Sequence, residues 1–310
     1  MSLEIGIDVG GTNLRVGVFD DLILLEETRF QANFSSICQQ NTPQIAWKKI
    51  LDCLKTSIEA VSQHHTNIQS IGIGFPGFIH PKTGDIAQSP NLPGLENVNL
   101  ARDLSKLLGK KVAVENDANA AAFGEFCLLN QNDKNVDGLI YLGLGTGVGG
   151  GLVIAGKLLV GQHGCAMEAG HIIVEPNGRL CGCGNHGCLE QYASASGVTK
   201  TYLAATGQSF TAAQIAALAD QDDVHAIDAY DLAAEKLAQV LASMLKVVDV
   251  SQVVIGGGMA SAWYLMQAKF FARLDQDLIP GLRGKVAVNV STSGDVAGML
   301  GAAKLSSSCF

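Results

Sequence analysis

The sequence predicts an α/β protein with two duplicated lobes around a central cleft and a cysteine-containing insertion in the second lobe. Three observations lead to this fold class. The same order of strands and helices occurs twice, each copy has a glycine-rich turn between its first two strands, and closely spaced cysteines interrupt the second copy. Two similar lobes leave a cleft between them, and small ligands commonly bind in such clefts.

The first copy begins with three strands joined by tight turns. Alternation of apolar and polar residues predicts strands, and apolar residues at every third or fourth position predict helices. The predicted elements are strands 3–9, 14–20 and 22–30, helix 44–65, strand 70–75, helix 100–108, strand 111–115 and helix 118–129. Four prolines between residues 76 and 93 make the segment after strand 70–75 extended.

The second copy repeats this order. Its predicted elements are strands 138–143, 149–154 and 157–161, helix 224–248, strand 252–255, helix 262–274, strand 285–290 and helix 295–305. The apolar face predicted for helix 224–248 comprises Ile227, Tyr230, Ala234, Leu237, Leu241, Met244 and Val248. We expect an N-terminal lobe at residues 1–117 and a larger lobe at 118–310. The insertion spans about 162–222, and the last helix is expected to pack back on the N-terminal lobe.

Composition narrows the possible function classes. The 310 residues are 47% hydrophobic and 16% charged, which is typical of a globular protein with a sizeable core. The formal net charge of -8 disfavours nucleic acid as a partner, because binding its phosphates needs a basic face. No signal-peptide pattern and no run of about 18 apolar residues is present. We therefore expect a cytoplasmic protein without a membrane or nucleic-acid partner.

The two glycine-rich turns indicate phosphate binding. Residues 8–13 are Asp-Val-Gly-Gly-Thr-Asn, and residues 143–151 are Gly-Leu-Gly-Thr-Gly-Val-Gly-Gly-Gly. Backbone N–H groups in such turns can surround an anion, and a threonine hydroxyl adds a donor. The residues expected to hold a nucleotide are Gly10, Gly11, Thr12, Asn13, Gly145, Thr146 and Gly147. Asp8 is expected to bind Mg²⁺, directly or through water. The alternative is that the glycines only form hairpin turns, and the matched pair favours phosphate.

Two other phosphate-binding patterns in this region are rejected. Gly145, Gly147 and Gly150 fit a dinucleotide fingerprint, which requires a following helix, but a predicted strand follows. The residues from Gly151 to Lys157 imitate a P-loop, yet Leu158 stands where that motif requires serine or threonine.

Three closely spaced cysteines predict a zinc site in the insertion. Cys181, Cys183 and Cys188, together with His171 upstream, supply the four ligands of a closed, structural Zn²⁺ site. Reduced thiols without a metal are the alternative. His186 is a rival fourth ligand, but its place in the loop between Cys183 and Cys188 makes tetrahedral closure harder.

Polar residues flank this predicted zinc site. Folding of the chain around the zinc ion would bring the side chains of Glu168 and Glu190 close together. A metal-bound His171 would also keep one ring N–H that can donate to a substrate oxygen. Paired carboxylates that accept hydrogen bonds from hydroxyl groups are suited to a sugar. The alternative is that either glutamate is only solvated.

Asp117 is the predicted catalytic base. It lies where strand 111–115 meets helix 118–129, and phosphoryl transfer to an alcohol uses a carboxylate that accepts the hydroxyl proton. Asn116 beside it would bind a neighbouring hydroxyl group. The structural alternative is that Asp117 is only the N-cap of the helix.

Together these motifs resemble the ROK family of bacterial sugar kinases, which have the actin-like ATPase fold with ribonuclease H-like lobes. The resemblance covers nearly the whole chain, through motifs at residues 8–13, 74–77, 89–92, 115–119, 142–151, 168–171, 181–190, 256–258 and 294–298. It implies Asp117 as the base. Around a hexose it implies Asn116, Glu168, His171 and Glu190, with zinc on His171, Cys181, Cys183 and Cys188.

The resemblance also implies roles that the residues alone do not indicate. Gly256, Gly257 and Gly258 would lie against the adenosine of ATP, and Gly77 and Asn91 would lie on the sugar side. A homodimer is implied as well. Ala169 departs from the bulkier aliphatic residue usual in the family, and we expect only a packing adjustment there.

The resemblance implies an ATP-dependent hexose kinase that uses Mg-ATP, with glucose as the first expected substrate and its 6-hydroxyl as the acceptor. Alternatives are kinases for N-acetylmannosamine, N-acetylglucosamine or fructose. The family also contains transcriptional repressors, and the acidic charge together with Asp117 disfavours such a non-catalytic sugar sensor. An ATPase with a protein client is a third class, for which the sequence shows no client surface.

Overall fold

The structure is a computed structural model that describes residues 2–89 and 92–308. Asn91, expected on the sugar side, lies outside the described residues. The chain divides into two compact units. The first comprises Met1–Asp137, Gly151–Ala166 and Ser293–Phe310, and the second comprises Gly138–Gly150 and Met167–Thr292. The first unit therefore extends past residue 117, where the sequence placed the lobe boundary, and includes the last helix.

The first unit contains a five-stranded sheet with the order β3-β2-β1-β4-β7. Its strands are β1 (Leu3–Val9), β2 (Asn13–Asp20), β3 (Ile23–Gln31), β4 (Ile68–Phe75) and β7 (Val112–Asn116). β1, β2 and β3 are antiparallel, whereas β1, β4 and β7 run parallel. The carboxyl ends of the three parallel strands consequently meet at one edge of the sheet. In the proline-containing segment, β5 (Phe78–Ile79) and β6 (Ile86–Gln88) form a small separate hairpin.

The helices of the first unit are α1 (Phe34–Gln40), α2 (Pro43–Ser62), α3 (Leu100–Leu108), α4 (Asp117–Asn132) and α10 (Val296–Ser308). The predicted helix 44–65 corresponds to α2, which ends three residues earlier at Ser62, whereas α1 was not predicted. Asn33 caps α1 by accepting a hydrogen bond from the Ser36 N–H at 3.1 Å. Pro43 then starts α2 in the first turn, where its missing N–H has no helical partner to lose.

Helix α10 is an integral part of the first unit. It packs against α4, β1 and β4, next to a core of buried isoleucines such as Ile5 and Ile71. Glycines permit this close approach. A Cβ on Gly6 would overlap the carbonyl oxygen of Met299, and one on Gly72 would overlap that of Ala302. The C-terminal helix thus completes the hydrophobic core of this unit.

A second sheet has the order β10-β9-β8-β11-β12. Its strands are β8 (Leu139–Leu144), β9 (Val148–Ile154), β10 (Lys157–Leu158), β11 (Gln252–Gly256) and β12 (Ala287–Val290). β11 pairs in parallel with both β8 and β12. If the strands of each sheet are numbered in chain order, the third strand lies at one edge in both sheets and is followed across the sheet by the second, first, fourth and fifth. This shared strand order confirms the predicted duplication. β10 is shorter than the predicted strand 157–161, and Gly161 has a φ of 77° that a strand does not adopt.

The helices of the second unit are α5 (Glu190–Ala193), α6 (Ala195–Thr206), α7 (Ala212–Ala219), α8 (Val224–Val248) and α9 (Trp263–Asp277). The first three lie in the insertion, where the sequence predicted no helices. A capping box between Thr211 and Gln214 starts α7 and is a signal that the sequence carries. The bounds of α8 are as predicted, with Asp223 capping it through the Ala226 N–H at 2.8 Å.

The buried face of α8 differs in part from its prediction. Five of the predicted residues are buried, namely Tyr230, Ala234, Leu237, Leu241 and Met244. The prediction is wrong for Ile227, which is 37% exposed, because the buried face in the first turns is formed by Ala226 and Ala229. Small side chains such as these permit closer packing of the helix than a larger residue would.

The part of the chain that the structure describes contains no helix long and apolar enough to cross a membrane.

Candidate active site and metal centre

Carboxylates gather at the carboxyl edge of β1, β4 and β7 in the first unit. Asp8 lies near the end of β1, Glu115 lies near the end of β7, and Asp117 begins α4. In the sheet, Gly74 of β4 pairs with both Asp8 and Glu115. A Cβ on Gly74 would lie only 3.6 Å from the Asp117 Cα, so the start of α4 is close to this edge. The fold therefore brings together carboxylates that are distant in the sequence.

Asn116, and not Asp117, is the N-cap of α4. Its Oδ1 accepts hydrogen bonds from the N–H groups of Ala118 at 2.9 Å and Asn119 at 3.1 Å. The alternative that Asp117 is only the helix cap is therefore wrong, because the cap lies one residue earlier. The Nδ2 of Asn116 donates to the Gly77 carbonyl at 3.2 Å. The structure thus joins Asn116 and Gly77, two residues predicted for the sugar side.

The surroundings of the two aspartates raise their pKa values. Burial raises the pKa of Asp117, and the hydrogen bond from the Ala118 N–H opposes this change. For Asp8, burial and the nearby charge of Asp117 raise the pKa from 3.8 to about 6, while Arg15 acts in the opposite direction. A carboxyl group with a raised pKa is a stronger base than an ordinary exposed one, which suits Asp117 to accept a proton during catalysis.

Burial also raises the pKa of Glu115, with hydrogen bonds from Asn119 and Asn116 acting against it. The Glu115 carboxylate accepts the Asn119 side-chain amide at 3.0 Å and the Asn116 N–H at 2.8 Å. It therefore supports the junction of β7 and α4, where Asp117 lies. The sequence placed Glu115 in the motif but assigned it no role.

Arg15 and Asp295 also belong to this edge, and the sequence predicted no role for either. The Arg15 guanidinium lies 2.5 Å from the Asp295 carboxylate and 3.5 Å from that of Asp8. The β1–β2 hairpin places Asp8 opposite Arg15, so the hairpin register was a usable signal. The contribution of Asp295, from the loop before α10, depends on tertiary packing and has no such signal.

The first glycine turn connects β1 to β2. The Gly10 N–H donates to the Asn13 carbonyl at 2.9 Å, and the Ala32 N–H donates to the Thr12 carbonyl at 3.0 Å. A Cβ on Gly11 would meet no protein atom within 4 Å. The packing of the protein thus does not require a glycine there, whereas close approach of a ligand to the backbone would.

The second glycine turn, residues 145–147, connects β8 to β9. Gly256, the last residue of β11, pairs with Gly143 of β8. Gly257 follows with a φ of 81°, and a Cβ on it would overlap the Leu144 backbone, so only glycine fits there. The structure places close to this turn the three residues expected beside adenosine, Gly256, Gly257 and Gly258.

Glu190 contacts both the second glycine turn and the cysteine region. One carboxylate oxygen accepts the Val148 N–H at 3.3 Å, and a Cβ on Gly147 would overlap that oxygen. The other oxygen lies 3.9 Å from the Cys181 Sγ. Glu190 thus lies between the predicted phosphate-binding turn and the predicted zinc ligands.

The four predicted zinc ligands form one cluster. One donor atom each from His171, Cys181, Cys183 and Cys188 lies within 4.8 Å of all the others. The His171 Nδ1 is 3.7 Å from the Cys181 Sγ, and the Cys183 and Cys188 sulfur atoms are 3.6 Å apart. Three thiols and one imidazole are a typical donor set for structural Zn²⁺. His186 is not a member, and its Nδ1 lies 3.0 Å from the Gly178 carbonyl oxygen.

His171 faces two directions from a short 3₁₀ turn, Ala169–His171. Its Nδ1 faces the thiols, while its Nε2 lies 3.9 Å from a carboxylate oxygen of Glu168. A metal-bound histidine whose second nitrogen faces a carboxylate is a common arrangement, and the carboxylate orients the ring. The structure therefore brings Glu168, His171 and Glu190 around one cysteine–histidine cluster.

The sequence model of the ROK family matches residues 4–308 of this chain. The chain belongs to the ROK family. The glucokinase of Thermotoga maritima is 33% identical over 97% of this chain and 96% of its own length. The N-acetyl-D-glucosamine kinase of Mannheimia succiniciproducens is also 33% identical, over 97% of this chain and 98% of its own length.

A solved structure shares the fold of this ROK chain. It is a ROK family glucokinase from Streptomyces griseus in complex with glucose and AMPPNP, and the match has a TM-score of 0.81. The sequence identity is 30%, over 99% of this chain and all of that one. These findings confirm the predicted family, the actin-like fold class and the enzyme class, an ATP-dependent sugar kinase.

Proposed function

We propose that this ATP-dependent sugar kinase phosphorylates the 6-hydroxyl of glucose, with Asp117 as the general base. The observation that carries the proposal is the partly buried Asp117 carboxylate at the carboxyl edge of the first sheet. Its pKa is raised by burial, and it is not used as the helix cap. The similarity to a glucokinase over 97% of the chain supports glucose as the substrate.

In the proposed reaction, Asp117 accepts the proton of the sugar hydroxyl as the oxygen attacks the γ-phosphorus of ATP. The new bond joins this oxygen to phosphorus, the bond to the bridging oxygen breaks, and ADP leaves. Asn116 keeps Asp117 at the start of α4 through its cap, and its Nδ2 holds the Gly77 loop. Asn91, for which the sugar side was predicted, keeps that role as part of the proposal.

The nucleotide is proposed to bind at the two glycine turns. Gly10, Gly11, Thr12 and Asn13 form one turn, and Gly145, Thr146 and Gly147 form the other. Asp8 would hold Mg²⁺, because carboxylate oxygens are preferred ligands of this ion, and the ion would neutralise charge on the phosphates. Arg15 keeps the Asp8 carboxylate in place. Gly256, Gly257 and Gly258 are proposed to lie against the adenosine.

The sugar hydroxyl groups are proposed to bind Glu168, Glu190 and the Nε2 side of His171. The donor set and spacing of the cysteine–histidine cluster fit a closed structural zinc site. A bound zinc ion would fix the histidine ring, and with it the nitrogen that faces Glu168. The predicted homodimer and cytoplasmic location stay predictions.

A second candidate substrate is N-acetylglucosamine. The relative that carries this name is as similar to the chain, at 33% identity, as the relative named glucokinase. The difference between the two sugars lies at carbon 2, where an acetamido group replaces a hydroxyl. N-acetylmannosamine and fructose remain further alternatives of the same enzyme class.

One coupled assay distinguishes these substrates. We expect kcat/KM for glucose to exceed that for mannose, fructose, N-acetylglucosamine and N-acetylmannosamine by about tenfold or more, because a shaped pocket discriminates on this scale. A higher kcat/KM for either N-acetylhexosamine than for glucose would identify that sugar as the substrate instead. No sugar-dependent ADP release with any of the five would favour a non-catalytic sugar sensor.

The activity should depend on the ionisation of Asp8. Its pKa is raised to about 6, and binding of Mg²⁺ requires the ionised form. As the pH falls through about 6, protonation should lower kcat/KM for Mg-ATP, by about tenfold per pH unit below that point. A carboxyl group with the usual pKa of 3.8 would cause this fall in kcat/KM only in more acidic solution. A flat profile down to pH 4.5, measured in the pH range where the fold is retained, would contradict the assignment of Asp8.

A further inference from the structure

The segment that begins α5 and α6 contacts the second glycine turn at three points. The Ala195 N–H donates to the Gly145 carbonyl at 2.9 Å. The Ser196 hydroxyl donates a hydrogen bond to the Thr146 carbonyl. The third contact is the Glu190 carboxylate, which accepts the Val148 N–H. Consecutive peptide groups of the turn are therefore held by one short segment of the insertion.

These contacts determine the direction of the turn's N–H groups. In a trans peptide group, the carbonyl and the N–H of the next residue point in opposite directions. Holding the Gly145 and Thr146 carbonyls thus directs the N–H groups of Thr146 and Gly147 away from α6. Within residues 2–89 and 92–308, neither of these two N–H groups donates a hydrogen bond. Two backbone donors that point the same way suit an anion.

The Ser196 hydroxyl is not needed to start its own helix. Ser194 is the N-cap of α6, and its Oγ accepts the Gly197 N–H at 3.0 Å. The same fully buried hydroxyl donates to the Glu190 carbonyl at 2.6 Å, which fixes the junction between α5 and α6. Ser196 therefore extends from a rigid junction, and its hydrogen bond to the Thr146 carbonyl joins distant parts of the chain.

The junction is also tied to the cysteine region. The Arg179 guanidinium donates to the Gln191 carbonyl at 2.7 Å and to the Thr201 hydroxyl at 3.0 Å. Its charge lies 4.6 Å from the centre of the Tyr192 ring. These contacts connect the loop before Cys181 to both α5 and α6, so the support of the glycine turn includes the cysteine–histidine region.

We propose that Ser196 is a positioning residue for ATP, because it orients the turn whose N–H groups hold the phosphates. This inference rests on the proposed function of the turn as part of the nucleotide site. Ser196 acts through Thr146 and Gly147 and does not itself touch the nucleotide. Loss of its hydroxyl frees the Thr146 carbonyl and lets the peptide group rotate, which weakens nucleotide binding while sugar binding is retained.

The test is the dissociation constant of Mg-AMPPNP, measured by calorimetry on the full-length protein. We expect Ser196→Ala to raise it by about threefold to tenfold, the scale of one lost hydrogen bond, with a parallel rise in KM for ATP. Ser196→Thr keeps the hydroxyl and should restore most of the affinity. KM for the sugar should stay close to that of the unchanged protein in both variants.

Ser243→Ala is the matched control. Ser243 also donates its hydroxyl to a backbone carbonyl, that of Gln239 at 2.9 Å, but within α8. This variant should bind Mg-AMPPNP as the unchanged protein does. Equal binding by Ser196→Ala and the unchanged protein would overturn the inference. Failure of the unchanged protein to bind Mg-AMPPNP would instead overturn the proposed nucleotide site, so the two failures are distinguishable.

Discussion

Asp117→Asn is expected to lower kcat by at least about 100-fold, the usual scale for loss of a general base. The amide cannot accept the proton of the sugar hydroxyl, yet it keeps nearly the same size. It can also still accept the hydrogen bond from the Ala118 N–H, so the start of α4 should be preserved. Steady-state kinetics with saturating glucose and ATP, together with the melting temperature, measure both effects.

Asp133→Asn is a suitable control because Asp133 follows the other end of α4 and is exposed. It makes the same chemical change and should leave kcat unchanged. The dissociation constant of Mg-AMPPNP should change little in Asp117→Asn, since the variant retains both glycine turns. A kcat within about threefold of the unchanged value would remove Asp117 from the role of base.

Cys183→Ser is expected to have the second large effect, on zinc content and sugar affinity together. The unchanged protein should contain about one zinc per chain, the stoichiometry of a closed four-ligand site. A serine hydroxyl is a much poorer zinc ligand than a thiolate. In the unchanged protein, the hydrogen bond from the Asn185 backbone lowers the pKa of the Cys183 thiol and so favours the thiolate form. Elemental analysis after dialysis should therefore show well under one zinc per chain in the variant.

The catalytic consequence follows from the position of His171. Without the metal, its ring loses one of the two contacts that orient it, and Glu168 loses a fixed neighbour. We expect KM for the sugar to rise by about 10-fold to 100-fold, the range seen when support around a metal is removed. Kinetics at several sugar concentrations separate this change from a change in kcat.

Cys165→Ser is the matched control for the zinc experiment. Cys165 is exposed and outside the cluster, so the variant should keep both its zinc and its sugar affinity. Full zinc retention by Cys183→Ser would show that Cys183 is not a ligand. An active, unchanged protein that contains no zinc would contradict the metal site as a whole.

Much of the fold could be predicted because local patterns and tertiary structure agree. The alternation in residues 3–9 predicts β1 with its observed bounds, and the long apolar periodicity predicts α8 with its observed bounds. The repeated order of elements predicts two sheets of one topology, since equivalent sequences of elements pack by the same rules. The helices α5, α6 and α7 were not predicted: α5 has only four residues, too few to show a helical period, and the capping box at Thr211 and Gln214 was an unused signal for α7.

The candidate site was predictable where chemistry is concentrated in short motifs. His171, Cys181, Cys183 and Cys188 are close in the sequence, and their residue types limit what they can bind. Asp8 and the first glycine turn are likewise contiguous. The cap of α4 was less predictable, because Asn116 and Asp117 are adjacent and both residue types are good N-caps. Only the backbone geometry decides between them.

By itself, the sequence determined the duplicated α/β fold, the two glycine turns and the four residues of the cysteine–histidine cluster. These depend on local periodicity and on residue types at short spacing, which the linear chain contains. The tertiary structure decided that Asp295 joins the charged groups near Asp8, because it reaches Arg15, the partner of Asp8, from the loop before α10. It also decided that Ser196 supports the turn at Thr146, since a hydrogen bond between distant segments exists only after the chain has folded.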